Sequence, residues 1–108
     1  MKKVEKDWGS ESWIVNNDLY CGKILFIKKR HRCSIHYHKN KDETFYVLSG
    51  SLLLELFGEC MILKEGDSIR LEPNTVHRFT GLEDTKILEI STHHEDSDSY
   101  RLVIGGKI

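Results

Sequence analysis

The chain has 108 residues, of which 39% are hydrophobic and 31% are charged, a composition typical of one globular domain and not of a disordered segment. Sixteen basic and 17 acidic residues leave a formal net charge of −1, which gives no broad positive field, so we expect no nucleic-acid partner. The basic run at residues 28–32 is typical of a solvated turn, with a small anionic ligand as the alternative.

Short strand-like runs follow one another along the chain. Apolar and β-branched residues cluster at residues 12–15, 19–28, 33–38, 44–48, 51–57, 61–64, 68–71, 76–80 and 86–92. Asn, Asp, Gly and Pro separate these runs, and no stretch keeps a helical period. The pattern predicts one all-β domain over residues 1–108, a small antiparallel sandwich or barrel with little or no helix. The polar residues after 92 predict a partly irregular tail, with a further strand at 100–104.

A short turn separates two of these runs. Ser49-Gly50 predicts a two-residue hairpin turn between the strands at 44–48 and 51–57. In that register Phe45 lies opposite Leu54, and Glu43 lies on the same face as both. We therefore expect Glu43 to share a face with apolar residues.

Three histidines and one glutamate have the spacing of a metal site. His36 and His38 are two residues apart, so on a strand both imidazoles point to the same face. Glu43 follows after a four-residue polar stretch, about the length of a tight loop, so the next strand can bring it beside the pair. His77 follows the turn at 73–74 and would supply a fourth ligand. Such a set favours one divalent transition metal (Zn, Mn, Fe or Ni) and leaves positions open on the ion.

The same residues resemble the two motifs of the cupin superfamily. Residues 36–50 carry HxH, a glutamate five residues later and a glycine twelve residues later, and residues 66–77 carry Gly-Asp, Pro and His. The resemblance implies a jelly-roll β-barrel, and it makes metal ligands of His36, His38, Glu43 and His77. The chain departs from the family pattern at positions 30 and 75, where glycine is usual, and neither departure removes a ligand.

The two ends of the chain resemble one branch of that superfamily. Residues 5–11, around Trp8-Gly9, and residues 88–101 are similar to the cupin domain of bacterial mannose-6-phosphate isomerases. This implies a sugar or sugar-phosphate isomerase or epimerase of carbohydrate or surface-polysaccharide metabolism. Two alternatives stay open: a metal-dependent dioxygenase or decarboxylase, and a non-catalytic sugar-binding cupin.

An isomerase needs a base and a substrate anchor besides the metal. Glu89 is the one acidic residue inside the last apolar run, and burial of a lone carboxylate is costly, so it should face water or a polar cavity. Facing the cavity, it is the candidate general base. Arg70 and Arg78 flank the second motif and are candidates for binding a phosphate or carboxylate of a small-molecule substrate.

Assembly and location can also be predicted. Sheet edges favour pairing, and residues 8–15 are apolar enough to join a neighbour's sheet, so we expect a homodimer. The chain begins with polar residues, and its longest apolar runs are about four to five residues, far short of a membrane span. Its three cysteines have no CxxC spacing, which fits a reducing compartment. We expect a cytoplasmic protein with no signal peptide and no membrane partner.

Overall fold

The computed structural model describes residues 2–56 and 58–108. Their backbone is mainly β-strand, as predicted, with one 3-10 turn at Asp96–Asp98. The strands are β1 (Lys2–Lys6), β2 (Gly9–Asn16), β3 (Cys21–Ile27), β4 (His31–Arg32), β5 (Ile35–His38), β6 (Glu43–Ser49), β7 (Ser51–Leu56), β8 (Glu59–Lys64), β9 (Ser68–Leu71), β10 (His77–Gly81), β11 (Thr85–Ser91), β12 (Ser99–Val103) and β13 (Gly106–Lys107). Phe57, which ends the predicted run 51–57, and Met1 lie outside the described residues. In the described part of the chain, no helix is long and apolar enough to cross a membrane.

The strands form two antiparallel sheets that pack face to face. The first sheet has the order β1-β2-β3-β11-β6-β9. In the second sheet, β10 pairs with β7 on one side and with β5 and β4 on the other, and β8, β12 and β13 extend it outwards. The arrangement is the all-β jelly-roll architecture that the sequence predicts.

The core lies between the inner faces of the two sheets. Alternate residues of β3 and β11 are buried, which is the period-2 pattern of a strand with one face inward. Phe79 of the second sheet lies edge-on to Phe45 of the first, with ring centroids 6.0 Å apart, and to Trp8 at 5.1 Å. The Phe45–Phe79 contact joins the two sheets across the core. The buried apolar cluster comprises Trp8, Leu25, Ile27, Cys33, Phe45, Val47, Leu52, Leu54, Leu63, Leu71, Phe79 and Ile87.

The hairpin predicted at Ser49-Gly50 is wrong. β6 pairs with β11 and β9 in the first sheet, whereas β7 pairs with β10 and β8 in the second. Gly50 forms the corner at which the chain crosses between sheets. Its φ is +90°, and a Cβ there would lie 2.5 Å from the Asp84 carbonyl oxygen. The predicted inward face nevertheless holds, because Glu43, Phe45 and Leu54 are all buried.

Both chain ends are more ordered than the sequence predicts. The tail contains β12 and β13, and Asp98 within it is buried. At the other end, β1 pairs along its whole length with β2. The dimer prediction assumed that the segment 8–15 lies at a sheet edge. It does not, because β1 and β3 flank β2 on both sides.

Candidate metal centre

Two strands of the second sheet present the three predicted histidines. β5 carries His36 and His38 on one face, and β10 carries His77 directly opposite His36 in the antiparallel register. Directly opposed residues in such a pair bring their side chains together. Glu43 begins β6 in the facing sheet and points inward. The two sheets thus bring all four predicted ligands to one place.

The distances within this cluster suit a single ion. One ligand atom from each of His36, His38 and His77 lies within 4.8 Å of the others. The Glu43 Oε2 atom lies 3.3 Å from His38 Nε2 and 3.7 Å from His77 Nε2. One ion between these atoms could replace the direct contacts with bonds of about 2.0–2.2 Å.

Backbone carbonyls fix the orientation of the three imidazoles in this cluster. The Nδ1 atoms of His36, His38 and His77 lie 2.8 Å from Ser34 O, 3.2 Å from Asp98 O and 2.9 Å from Thr75 O. A carbonyl only accepts hydrogen bonds, so each Nδ1 carries the proton and each Nε2 keeps its lone pair. Among the described residues, His77 Nε2 is the one buried side-chain polar atom with no hydrogen-bond partner. An unpaired acceptor beside a carboxylate is the environment that a cation fits.

The charges of the cluster also fit a cation. Burial, reinforced by the neighbouring His77, lowers the pKa of His36 to about 3. Burial likewise lowers the pKa of His77. Burial opposes ionisation of Glu43, but polar and charged neighbours, Lys41 among them, lower its pKa to about 2. At neutral pH the site therefore offers neutral imidazoles at His36 and His77 and an ionised carboxylate at Glu43, the forms that bind metals.

A cavity of about 300 Å³ opens in front of His36, His38 and Glu43. The apolar part of its lining, the apolar wall, includes Trp8, Leu25, Phe45 and Phe79. The charged part, the charged wall, includes Glu11, Lys23, Lys41, Glu89 and His94. The two parts meet on β3, where Lys23 and Leu25 share one face. The cavity therefore offers an apolar surface and a row of hydrogen-bonding groups to the same ligand.

Glu89, the residue predicted as the general base, lies on the cavity. Glu89 is buried on the inner face of β11 and lines the cavity. Its Oε2 atom lies 2.7 Å from Lys41 Nζ and accepts a hydrogen bond from Ser91 Oγ at 3.1 Å. Its position is thus on the cavity, while its role as a base stays a prediction.

Two buried lysines of the charged wall were not predicted from the sequence to be site residues. Lys23 is 1% exposed, and its Nζ lies 3.4 Å from Glu11 Oε1 and 4.2 Å from the Trp13 ring centroid. The burial of Lys23 was predictable from strand alternation, because Lys23 shares the inward face of β3 with Leu25. Lys41 belongs to the polar stretch 39–42, whose composition is that of an exposed loop, so no local pattern marks it as buried.

The predicted arginine anchors have other partners. Arg70 is exposed on β9 and forms an ion pair with Asp42 at 2.6 Å. Arg78 is buried, and its guanidinium donates hydrogen bonds to the carbonyls of Cys33 and Ile104 at 3.0 and 3.2 Å. Neither side chain lines the cavity, whereas Arg101 on β12 does.

A carboxylate in the C-terminal tail organises the loop beside the site. Asp98 accepts hydrogen bonds from the backbone N–H groups of Lys39, Asn40 and Lys41 at 2.9–3.2 Å. Its own carbonyl accepts the Nδ1–H of His38. One residue therefore orients a predicted ligand and holds the loop that buries Lys41.

Comparison with known proteins identifies a family profile and two relatives that this chain matches. A family profile described as a cupin domain matches residues 24–91. Over 44 residues (40% of this chain), the chain is 43% identical to YdbB of Bacillus subtilis. Over 69 residues (59% of this chain), it is 33% identical to MJ1618 of Methanocaldococcus jannaschii. The matches span 39% and 55% of the length of these relatives.

Several solved structures share the fold. KdgF from Halomonas has a TM-score of 0.81 at 19% identity, with 90% of each chain covered. Ectoine synthase from P. lautus has a TM-score of 0.80 at 15% identity, covering 94% of this chain and 81% of that one. A variant of oxalate decarboxylase from B. subtilis has a TM-score of 0.81 at 16% identity, covering 94% of this chain and 30% of that one. At such identities the likeness concerns the fold. Because the cupin profile matches more than half of the residues and the fold agrees with it, the chain belongs to the cupin domain family.

Proposed function

We propose that this protein is a metal-dependent isomerase or epimerase of a small sugar or sugar phosphate. One divalent transition ion would be held by the Nε2 atoms of His36, His38 and His77 and by the carboxylate of Glu43. The observation that carries the proposal is the histidine triad with its Nδ1 atoms fixed on carbonyls. Two of its members, His36 and His38, line a cavity that is partly apolar and partly charged.

The two walls suit a sugar. A sugar has an apolar C–H face, which can pack on Trp8 and Phe79, and hydroxyl groups that need donors and acceptors. The ion pairs Lys23–Glu11 and Lys41–Glu89 supply both kinds of partner. A cavity of about 300 Å³ lies at the small end of the range for ligand pockets.

The chemistry divides between the ion and the protein. When bound, a divalent ion supplies Lewis acidity that polarises the substrate carbonyl. Glu89 takes the proton from the carbon beside that carbonyl and returns it to the former carbonyl carbon, while the hydroxyl proton passes between the two oxygens. Lys41 and Ser91 hold the Glu89 carboxylate in one orientation. The apolar wall excludes water from the reacting carbons.

Arg101 is the proposed anchor for the far end of the substrate. It lies opposite His36 in the β5–β12 pair and is exposed where it lines the cavity. An exposed guanidinium can bind a phosphate through two parallel hydrogen bonds. In this proposal Arg101 replaces Arg70 and Arg78 as the substrate anchor, because the guanidinium groups of those two residues have other partners.

Assembly and location remain predictions within this proposal. We propose a homodimer formed through an open sheet edge, such as β1 or β9, in place of the segment 8–15. Light scattering that finds a monomer at high concentration would contradict it. The substrate is a small molecule, and a cytoplasmic site of action is expected from the sequence.

Nuclear magnetic resonance in deuterated water tests the proposed reaction. Metal-loaded protein is mixed with a panel of aldoses, ketoses and their phosphates, and we expect interconversion of one pair with solvent deuterium at the reacting carbon. Glu89→Gln should lower kcat about 100-fold or more with unchanged metal content. The exposed Glu83 provides the matched control, Glu83→Gln. Carbon dioxide release or oxygen uptake with an organic acid, and no sugar conversion, would contradict the proposal and favour a decarboxylase or dioxygenase.

A further inference from the structure

We propose that Lys41 is a positioning residue that allows Glu43 to bind a metal ion through only one of its carboxylate oxygens. The inference rests on the proposed metal site and deepens it. It also narrows the substrate to molecules that bind through two neighbouring oxygens.

The two carboxylate oxygens of Glu43 have different neighbours. The Oε2 atom faces the imidazoles, 3.3 Å from His38 Nε2 and 3.7 Å from His77 Nε2. The Oε1 atom faces the Lys41 ammonium, with its Nζ 3.8 Å away. A carboxylate that binds an ion through both oxygens must turn both towards it. The ammonium attracts Oε1 and so competes with the ion for that oxygen.

Lys41 is held too firmly to move aside. It is 3% exposed, and its Nζ lies 2.7 Å from Glu89 Oε2 and 3.1 Å from His94 Nδ1. Its backbone N–H donates to Asp98 Oδ2 at 3.0 Å. Release of the ammonium would leave Glu89 buried without its charged partner, which is strongly unfavourable.

The consequence concerns the number of positions left for substrate. Three imidazole nitrogens and one carboxylate oxygen occupy four positions, so an ion that takes six ligands keeps two open. Those two positions would suit the carbonyl and hydroxyl oxygens of an α-hydroxycarbonyl compound, the functional group of aldoses and ketoses. A second oxygen from Glu43 would leave one position, and such a substrate could bind only through one oxygen.

Infrared spectroscopy of the carboxylate tests the inference without any substrate. The protein is labelled with ¹³C-glutamate, and the difference between zinc-loaded and metal-free spectra is recorded, with Glu43→Gln identifying the Glu43 bands. The separation between the antisymmetric and symmetric stretches is larger when one oxygen binds than when both do. We expect the large separation in the wild type and in Lys41→Arg, and a smaller one in Lys41→Met. Lys41→Met should also bind Zn²⁺ about tenfold more tightly, because a nearby positive charge is gone.

Two further variants keep the result interpretable. Lys39→Met removes an exposed lysine from the same loop and should match the wild type. If Lys41→Met fails to fold, Lys41→Met combined with Glu89→Gln keeps the buried charge balanced and should still show the smaller separation. A wild-type protein that binds no Zn²⁺ overturns the metal site and this inference together. Zinc binding with identical carboxylate bands in wild type and in the foldable Lys41→Met variant overturns this inference alone.

Discussion

At the scale of single residues, the position of one proton on each imidazole decides what the site can do. The carbonyls of Ser34, Asp98 and Thr75 accept the Nδ1–H groups, which leaves the Nε2 lone pairs directed at one another and at Glu43. Lone pairs that face each other gain nothing unless a cation lies between them. A buried polar atom without a partner, such as His77 Nε2, costs about 1–3 kcal/mol. The site is therefore arranged for an occupant and not for the stability of the metal-free fold.

His77→Ala should remove the metal while keeping the barrel. We expect zinc affinity to fall by more than about 100-fold, because one ligand is lost and the others surround a gap. Circular dichroism of the metal-free variant should remain that of a folded β-protein, since the core between Phe45 and Phe79 is intact. His93→Ala, in the C-terminal tail, is the control. Zinc competition that gives equal affinities for both variants would contradict the assignment.

The metal cluster was predictable from the sequence, and its surroundings were not. The i, i+2 spacing of His36 and His38 on a strand is a local pattern, and the distance to Glu43 is short. Lys41 becomes buried only because Asp98, far along the chain, accepts the N–H groups of its loop. No local sequence pattern predicts that contact.

At the scale of elements, the corner at Gly50 shows that the local sequence of a turn does not decide which strands pair on either side of it. A hairpin turn and a corner both need a short segment with positive φ, so their local sequences are alike. They differ in the partners that β6 and β7 find elsewhere, namely β11 and β10. Strand alternation was therefore predictable, and strand pairing was not.

Gly50→Ala should destabilise the protein far more than Gly66→Ala. Both glycines have a φ of +90°, which costs alanine about 1–2 kcal/mol. Only at Gly50 does the new Cβ also meet the Asp84 carbonyl, at 2.5 Å, and nothing lies within 4 Å at Gly66. We expect a loss of about 3 kcal/mol or more for Gly50→Ala in urea unfolding. Equal losses would show that the corner is not tightly packed.

The turn before β12 should couple the tail to the metal centre. Asp98→Ala leaves three backbone N–H groups of the 39–41 loop without their acceptor. The free energy of unfolding should fall by about 2–3 kcal/mol. Zinc affinity should fall by about tenfold, because the Asp98 carbonyl that orients His38 loses its fixed position. Ser97→Ala, exposed in the same turn, is the control. A destabilised variant that keeps full zinc affinity would limit Asp98 to a structural role.

At the scale of the whole molecule, the buried site makes the metal-free fold sensitive to acid. His36 has a pKa of about 3 in the folded chain against an ordinary value of 6.5, and Glu43 has about 2 against 4.5. In both cases the unfolded chain binds more protons than the folded chain between the two values. Stability therefore rises with pH through these windows and is lost as the pH falls.

Thermal unfolding of chelated protein should show this pH dependence. We expect Tm to fall as the pH is lowered from 6.5 towards 4, first as His36 resists protonation in the folded state and then, below 4.5, with Glu43 adding to it. His36→Gln should flatten the upper part of the profile, and Ser97→Ala, which removes no ionisable group from an exposed site, should leave it unchanged. A Tm that is constant from pH 7 to 4 in the wild type would show that the site is open to solvent and not buried.

The central claim is that His36, His38, Glu43 and His77 together bind one divalent transition-metal ion. Elemental analysis by mass spectrometry, on protein purified without a polyhistidine tag and compared with His36→Gln and Glu43→Gln, tests it most directly. The account predicts about one ion of Zn, Mn, Fe or Ni per wild-type chain and a large loss from each variant. Wild-type protein that remains free of metal after incubation with each of these ions, or variants that retain a full equivalent, would contradict it.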